Sequence, residues 1–396
     1  MRQVPGLPFP ADPEAFAGKL LAFTGELVAL GGCSTSPEEL GPKAAWLADR
    51  LTALGLQVER EEGEFGPHLA AFPPGVPARG STLLVGHYDT VYPSSSQGYQ
   101  MERVGDRVVG PTVADMSGGL AVILGALELL GGEGGGALPP LKVLLCSDEE
   151  RGSVSAAPFL RRHAKEAARA LVFEGGRLGN GVVLGRRGRE GLRLRVRGRT
   201  AHAGIDPEQG VNALAEAAAL VEPMAAAARV RGASLVLGGE TEVRPGAPNT
   251  VPGEAILSGD LRYEDPHVLA PLLADLEGLL PATPARRGGA VLPPNRLERT
   301  GGRPPWMPSA ADRALFESYR ETAARFGVTL RPLRAGGGSD ANLLAAMELP
   351  VLDGLGPVGE GFHRLDESID PATLLERTVA AAAFLAGSGG GAFSPS

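Results

Sequence analysis

Three short apolar runs in this chain stop abruptly at ligand-type residues: Thr82-Leu-Leu-Val-Gly-His87, Leu141-Lys-Val-Leu-Leu-Cys-Ser-Asp-Glu-Glu150 and Ala170-Leu-Val-Phe-Glu174. A run of that kind reads as a strand buried on both faces of a parallel sheet, and open α/β sheets gather their chemistry at the carboxyl ends of such strands. Helical periodicity separates the runs. Strand and helix therefore alternate, which is the pattern of a doubly wound α/β sheet. His87 and Asp89 stand two apart and share one face of their strand. Asp89 is then placed behind His87 as an orienting carboxylate. Taken alone, the pair also suits a strand-end histidine that is simply hydrogen-bonded.

The rest of the chain fits this frame. Pro13 to Ala29 reads as an amphipathic helix with Phe16, Leu20, Phe23 and Leu27 on one face. Ser34-Thr-Ser-Pro-Glu-Glu resembles a helix start, with a cap, a proline and early acids, and a helix is expected from Lys43 to Leu54, an edge strand from Leu56 to Arg60, and a long apolar helix from Leu120 to Leu130. After Gly185 the texture changes. Gly191-Leu-Arg-Leu-Arg-Val-Arg197 alternates with period two, as a half-exposed antiparallel strand does. Arginines crowd this stretch, but their alternation with Leu192, Leu194 and Val196 favours a solvated sheet face over a nucleic-acid surface. Helices at 212–227 and 266–280 and a strand at 255–263 complete a β-α-β-β-α-β-like run. From about Met307 the first texture resumes, with a helix over 310–326, the loop Gly336-Gly-Gly-Ser-Asp-Ala-Asn342 and a strand over 350–352.

Size and charge narrow the classes. At 396 residues the chain exceeds an ordinary single domain, so two are expected. A net charge of −8 without a basic tail argues against a general nucleic-acid binder. No apolar run of 18 residues is seen, so no membrane span is expected. The amino terminus shows no apolar signal-peptide core, and Cys33 and Cys146 make no disulfide framework, so a cytoplasmic location is expected. Only the tail from Gly387 to Ser396 reads as disordered.

The polar residues at strand ends are His87, Asp89, Asp115, Glu149, Glu150, Glu174 and, late in the chain, His363. Two histidines and three carboxylates suit two zinc ions with one carboxylate shared. Adjacent acids such as Glu149 and Glu150 usually mark a solvated turn. Here they end a buried strand, where unpaired carboxylates are costly and a cation offsets that cost. His68, His163 and His267 lie outside these stretches and read as surface or satisfied histidines.

The stretches GHYDTV, GPTVADMSGG, SDEERGS and VFEGG, then AHAG, APNTVP, GGGSDAN and GFHRLDE, follow one another in an order that resembles the dinuclear zinc family of glutamate carboxypeptidases, aminoacylases, acetylornithine deacetylase and succinyl-diaminopimelate desuccinylase. The likeness spans roughly residues 14 to 385 and is strongest to bacterial glutamate carboxypeptidases. It implies a catalytic domain (1–186 and 299–396) with a central mixed sheet flanked by helices. It also implies an inserted α+β, ferredoxin-like lid and dimerisation domain (187–298). By position, Asp115 matches the bridging carboxylate, His87 and Glu174 the other ligands of one ion, and Glu150 and His363 those of the second. Asp89 matches the carboxylate behind His87, and Glu149 the general base. A cis peptide is implied after Asp115. His202 matches a lid histidine that reaches the partner subunit's active site, and Asn249 and Arg303 stand where the family binds a substrate carboxylate.

The resemblance thus implies an enzyme with two Zn2+ per chain, cobalt or manganese being alternatives. It would cleave an amide next to a free carboxylate in a small peptide or N-acyl amino acid, as a homodimer. An N-acyl-amino-acid deacylase is the alternative within this class. A metal-dependent scaffold or binding protein is the non-enzymatic alternative, and it has no use for the base Glu149.

Overall fold

The computed structural model describes residues 1–92, 99–131, 137–280, 286–287 and 290–387; the stretch 388–396, within the tail read as disordered, lies outside them. Contacts divide the chain into two units, Met1–Gly185 with Pro308–Ser396, and Arg186–Met307.

In the first unit the apolar runs form the middle of a six-stranded sheet. Its strands are β1 (Gln57–Glu62), β2 (Pro67–Phe72), β3 (Ser81–His87), β4 (Leu141–Cys146), β5 (Ala167–Val172) and β6 (Val351–Leu352). They stand in the order β1-β2-β4-β3-β5-β6. β4, β3, β5 and β6 run parallel, whereas β2 is antiparallel to both β1 and β4. The sheet is therefore mixed, as the family resemblance implies, and not the purely doubly wound one that alternation alone suggests. The cause is the connection over 63–66, too short for the crossover a parallel pair needs, so β1 and β2 close as a hairpin. β2 escapes sequence reading because Pro-His-Leu-Ala-Ala-Phe has no clear alternation.

The helices follow from their caps and faces. α1 (Pro13–Ala29) starts where the Asp12 side chain accepts the amides of Glu14 and Ala15, and it buries Leu20, Phe23 and Leu27. α2 spans Pro37–Ala53: it begins within the expected start Ser34-Thr-Ser-Pro-Glu-Glu and runs on through Pro42 into the segment expected from Lys43. α3 (Gly118–Gly131) is apolar all round and buried for most of its length. With the turn before it, the stretch Val113–Gly131 is, among the described residues, long and apolar enough to cross a membrane by length and composition, yet 78% of that window is buried inside the protein. Asp115 and Glu128 interrupt it, which is why the sequence shows no unbroken apolar run. It packs on α1 and on the last helix, Pro371–Gly387. The start of α3 approaches the end of β5 so closely that a Cβ on Gly119 would lie 1.9 Å from the Phe173 carbonyl oxygen.

The parallel order matters for the site. β3 lies between β4 and β5, so the connection from β3 runs to one side and the next, from β4, crosses back to its other side. Their carboxyl ends share one edge of the sheet, at the kind of switch point where open α/β sheets form a crevice.

The second unit is a four-stranded antiparallel sheet in the order 234–244, 254–263, 188–197, 296–303. Helices Ala213–Val230 and Leu269–Gly278 complete a β-α-β-β-α-β chain. Leu192, Leu194 and Val196 enter its core beside Met224, Leu272 and Leu276. The alternating arginines lie outward, and Arg195 and Arg197 each pair with Glu254 at 2.7 Å, while Arg189 earlier in the strand pairs with Asp260 at 2.7 Å. That is the solvated sheet face read from the alternation.

Candidate metal centre

The site begins at the last residue of β3. His87 is buried, and its Nδ1 lies 3.1 Å from the Asp89 backbone oxygen and 3.3 Å from Asp89 Oδ1. Both partners can only accept, so Nδ1 carries a proton and Nε2 faces the site. Nε2 lies 3.1 Å from Asp115 Oδ1 and 3.6 Å from Glu174 Oε1. Asp115 stands just before α3, and the Asp115–Met116 peptide is cis, as the resemblance implies. Glu174 stands two residues past β5.

Asp115 has a second oxygen, and it faces another set. His363 Nε2 lies 3.3 Å from Asp115 Oδ2 and 3.3 Å from Glu150 Oε2. Glu150 sits in a single turn, Glu149–Arg151, that follows β4. Two three-residue groups, His87–Asp115–Glu174 and Asp115–Glu150–His363, thus share one carboxylate, each with ligand-type atoms within 4.8 Å of one another.

This cluster is electrostatically costly without a cation. Burial pushes Glu150 up to about 8, with Asp115 adding to it. Burial likewise pushes Glu174 up to about 7, although His87 pulls it down. Burial also works against the Asp115 charge, but His363 and His87 hold it well below the usual carboxylate range. Hydrogen bonds to Asp115 and Glu150 hold His363 up to about 11. Burial opposes a charge on His87, yet Glu174, Asp115 and Asp89 keep it well above the usual imidazole range. Two imidazoles and three crowded carboxylates are a donor set that fits a pair of divalent ions such as zinc.

Asp89 does more than orient His87. Its Oδ1 accepts the backbone N–H of Glu149 and its Oδ2 that of Glu150, both at 3.1 Å, and Ser34 Oγ donates to Oδ2 at 2.9 Å. The carboxylate is balanced by Lys43, a buried cation brought down to about 8 by desolvation against the pull of Asp89; Lys43 Nζ donates to the Gly31 carbonyl at 2.8 Å. Glu149 is itself buried and shares the turn with Glu150.

Sequence reading missed Glu367. This fully buried acid accepts the backbone N–H groups of Ala114 and Asp115 on Oε1, and burial, then Asp115, pushes it up to about 8. Ser34 and Lys43 were missed as well. Their only signal is an acceptor or a charge far along the chain. His68, by contrast, is a satisfied buried histidine, 3.1 Å from Ser155 Oγ.

The remaining expected residues lie in the second unit. His202 is exposed in a short strand pairing with Thr250–Val251, and its Nδ1 accepts the Gly204 amide at 3.1 Å. Asn249, also exposed, accepts the Ala203 amide on its carbonyl at 2.9 Å, so these two residues neighbour each other. Arg303 is elsewhere in the unit. It is buried at the end of strand 296–303 and lines a cavity of about 370 Å³ with Glu190, Tyr263 and Arg299.

Residues 83–387 match the model of peptidase family M20/M25/M40. The chain is 31% identical over 319 residues to carboxypeptidase G2 of Pseudomonas sp. (strain RS-16), covering 78% of this chain and 74% of that protein. It is 27% identical over 362 residues to succinyl-diaminopimelate desuccinylase 2 of Shewanella loihica, covering 86% and 93%. Its fold superposes on a tripeptidase from Staphylococcus aureus with a TM-score of 0.76 at 20% identity, over 94% of this chain and 98% of that one.

Proposed function

The chain belongs to peptidase family M20/M25/M40, and on that premise we propose that it is a two-metal hydrolase of the carboxypeptidase type, cleaving an amide next to a free carboxylate. The observation that carries this reading is Asp115, with one oxygen toward His87 and the other toward His363. His87, Asp115 and Glu174 would hold one divalent ion, and Asp115, Glu150 and His363 the other. Zinc, when bound there, supplies a Lewis acid for the amide carbonyl and lowers the pKa of water.

The chain's own groups do the rest. Asp89 fixes the ring of His87 and, through two backbone amides, the turn that carries Glu149 and Glu150. Glu149 takes the proton of the attacking water and returns it to the leaving amine, so one carboxyl group serves as base and then as acid. His202 stabilises the oxyanion from the partner subunit, and Asn249 and Arg303 take the substrate carboxylate. Residues 187–298 act as a lid and dimerisation domain, and the enzyme works in the cytoplasm. The likeness to carboxypeptidase G2 supports a peptidase acting on a carboxyl-terminal residue.

A second reading is an N-acyl-amino-acid deacylase. It is supported by the desuccinylase match, which covers 93% of that relative's length. Both readings require a free carboxylate on the substrate. Zinc-loaded protein should be screened against dipeptides, N-acyl amino acids and their carboxamides. Cleavage of the acids and not of the carboxamides is expected. Equal cleavage of both, or of neither, would overturn the assignment, and the preferred acid separates peptidase from deacylase.

A further inference from the structure

We propose that Glu367 is a positioning residue that ties the shared carboxylate Asp115 and the turn carrying His363 into one piece. The geometry is direct. Glu367 is 0% exposed, and its Oε1 accepts the amides of Ala114 at 2.5 Å and Asp115 at 2.8 Å. Its Oε2 lies 3.2 Å from the Tyr92 hydroxyl, which is also 2.6 Å from the Arg364 carbonyl.

Its backbone is engaged as well. Gly110 N–H donates to the Glu367 carbonyl at 2.8 Å, and Glu367 N–H donates to the Arg364 carbonyl at 3.0 Å. The turn is closed further by Arg364 N–H donating to the Gly361 carbonyl at 2.9 Å, with His363 in the left-handed region at φ 64°. One residue thus grips the 110–115 segment by both its side chain and its main chain, four positions after His363.

Two buried amides that point at one spot need an acceptor there, because an unmet buried N–H is costly. The Glu367 carboxyl oxygen Oε1 meets both. Asp115 faces His87 through one oxygen and His363 through the other, so a backbone shift at 114–115 moves both pairs at once. Groups that orient metal-binding side chains from behind typically matter about ten- to hundredfold in metal affinity.

The inference rests on the reading that Asp115 holds metal, and its test is a metal titration. Zn2+ is titrated by calorimetry into the full-length chain after chelator treatment, for wild type and for Glu367→Ala, Glu367→Asp and Glu367→Gln. Co2+ absorption spectra of the loaded proteins are recorded in parallel. Alanine removes the acceptor, and aspartate keeps the carboxyl group but falls one methylene short. Both should weaken the looser binding step roughly ten- to hundredfold and alter the Co2+ bands. Glutamine keeps an oxygen for the two amides and turns its nitrogen to the Tyr92 oxygen, so it should restore near wild-type affinity and spectrum. A merely structural loss of stability would not produce that split.

Wild-type affinity in the alanine or aspartate variant overturns the proposal, as does a glutamine variant as weak as alanine. If alanine does not fold, the aspartate and glutamine pair decides alone. Wild-type protein that takes up no zinc sinks the metal reading itself, a result distinct from any difference among the Glu367 variants.

Discussion

The carboxylate of Asp89 accepts the backbone amide of Glu149 at 3.1 Å, so the residue behind the first histidine also fixes the turn bearing the proposed base. One side chain therefore sets two spacings, that of His87 against Asp115 and that of Glu149 against both. Asp89→Asn leaves one oxygen for four donors, the two amides, the Ser34 hydroxyl and His87 Nδ1, since its new NH2 cannot accept. The expected result is a loss of about ten- to hundredfold in kcat, as for other groups that orient metal ligands. Steady-state kinetics on zinc-loaded protein checks it, and an unchanged kcat would show that His87 and the turn are held by other means.

Glu149→Gln removes a base and no ligand. Metal analysis should still find two divalent ions per chain. Turnover should fall by roughly a hundred- to ten-thousandfold, the usual contribution of a positioned proton acceptor. A variant with wild-type kcat would mean that another residue moves the proton.

Zinc uptake should release protons at neutral pH. Without a cation, His363 is held up to about 11 and His87 well above the imidazole range, so both carry protons at pH 7. An imidazole binds metal only in its neutral form. Protons then compete with zinc, and affinity rises as pH rises. Calorimetry in buffers of differing ionisation heat counts the released protons, and a count of zero would exclude these histidines as ligands.

Gly119→Ala tests the packing behind the site. Its new Cβ would fall 1.9 Å from the Phe173 carbonyl, so α3 must retreat from β5. Overpacking of this kind costs about 1–3 kcal/mol, read as a lowered urea midpoint. Because Glu174 follows Phe173, zinc affinity should drop in the same variant. Unaltered stability and affinity would show that the helix start shifts freely.

Mixed dimers test the proposed action of His202 across subunits. His202→Ala and Glu149→Ala are each expected to be nearly inactive. Unfolded and refolded together, they would form mixed dimers in which one site regains both groups, and activity should return. A mixture as inactive as its parts would place His202 in its own subunit's site, and a monomer by light scattering would rule the arrangement out.

Much of the first unit's layout was legible because apolar runs ending in acids leave few other folds. His87, Glu150 and Glu174 fall at or just beyond strand ends, where such runs place them. Glu367 was not legible. Its partners are amides some 252 residues earlier, and no local spacing records that. The hairpin of β1 and β2 was hidden by a strand without alternation; the start of α2 was legible in Ser34-Thr-Ser-Pro-Glu-Glu, but its continuity into the Lys43 segment was hidden by Pro42, which reads as a break. Lys43 looked like an ordinary helix lysine, since only the folded sheet brings Asp89 near it.

The two ligand groups differ in when the chain supplies them. His87, Asp115 and Glu174 all lie within the first 174 residues, whereas the second group waits for His363. A chain growing from its amino terminus therefore holds one complete set of donors long before the other exists. The shared carboxylate draws one set of partners from the earlier part of the chain and completes the other with His363 from a late segment, which also supplies the Glu367 that accepts its backbone amide, so completing the pair joins two distant stretches of sequence.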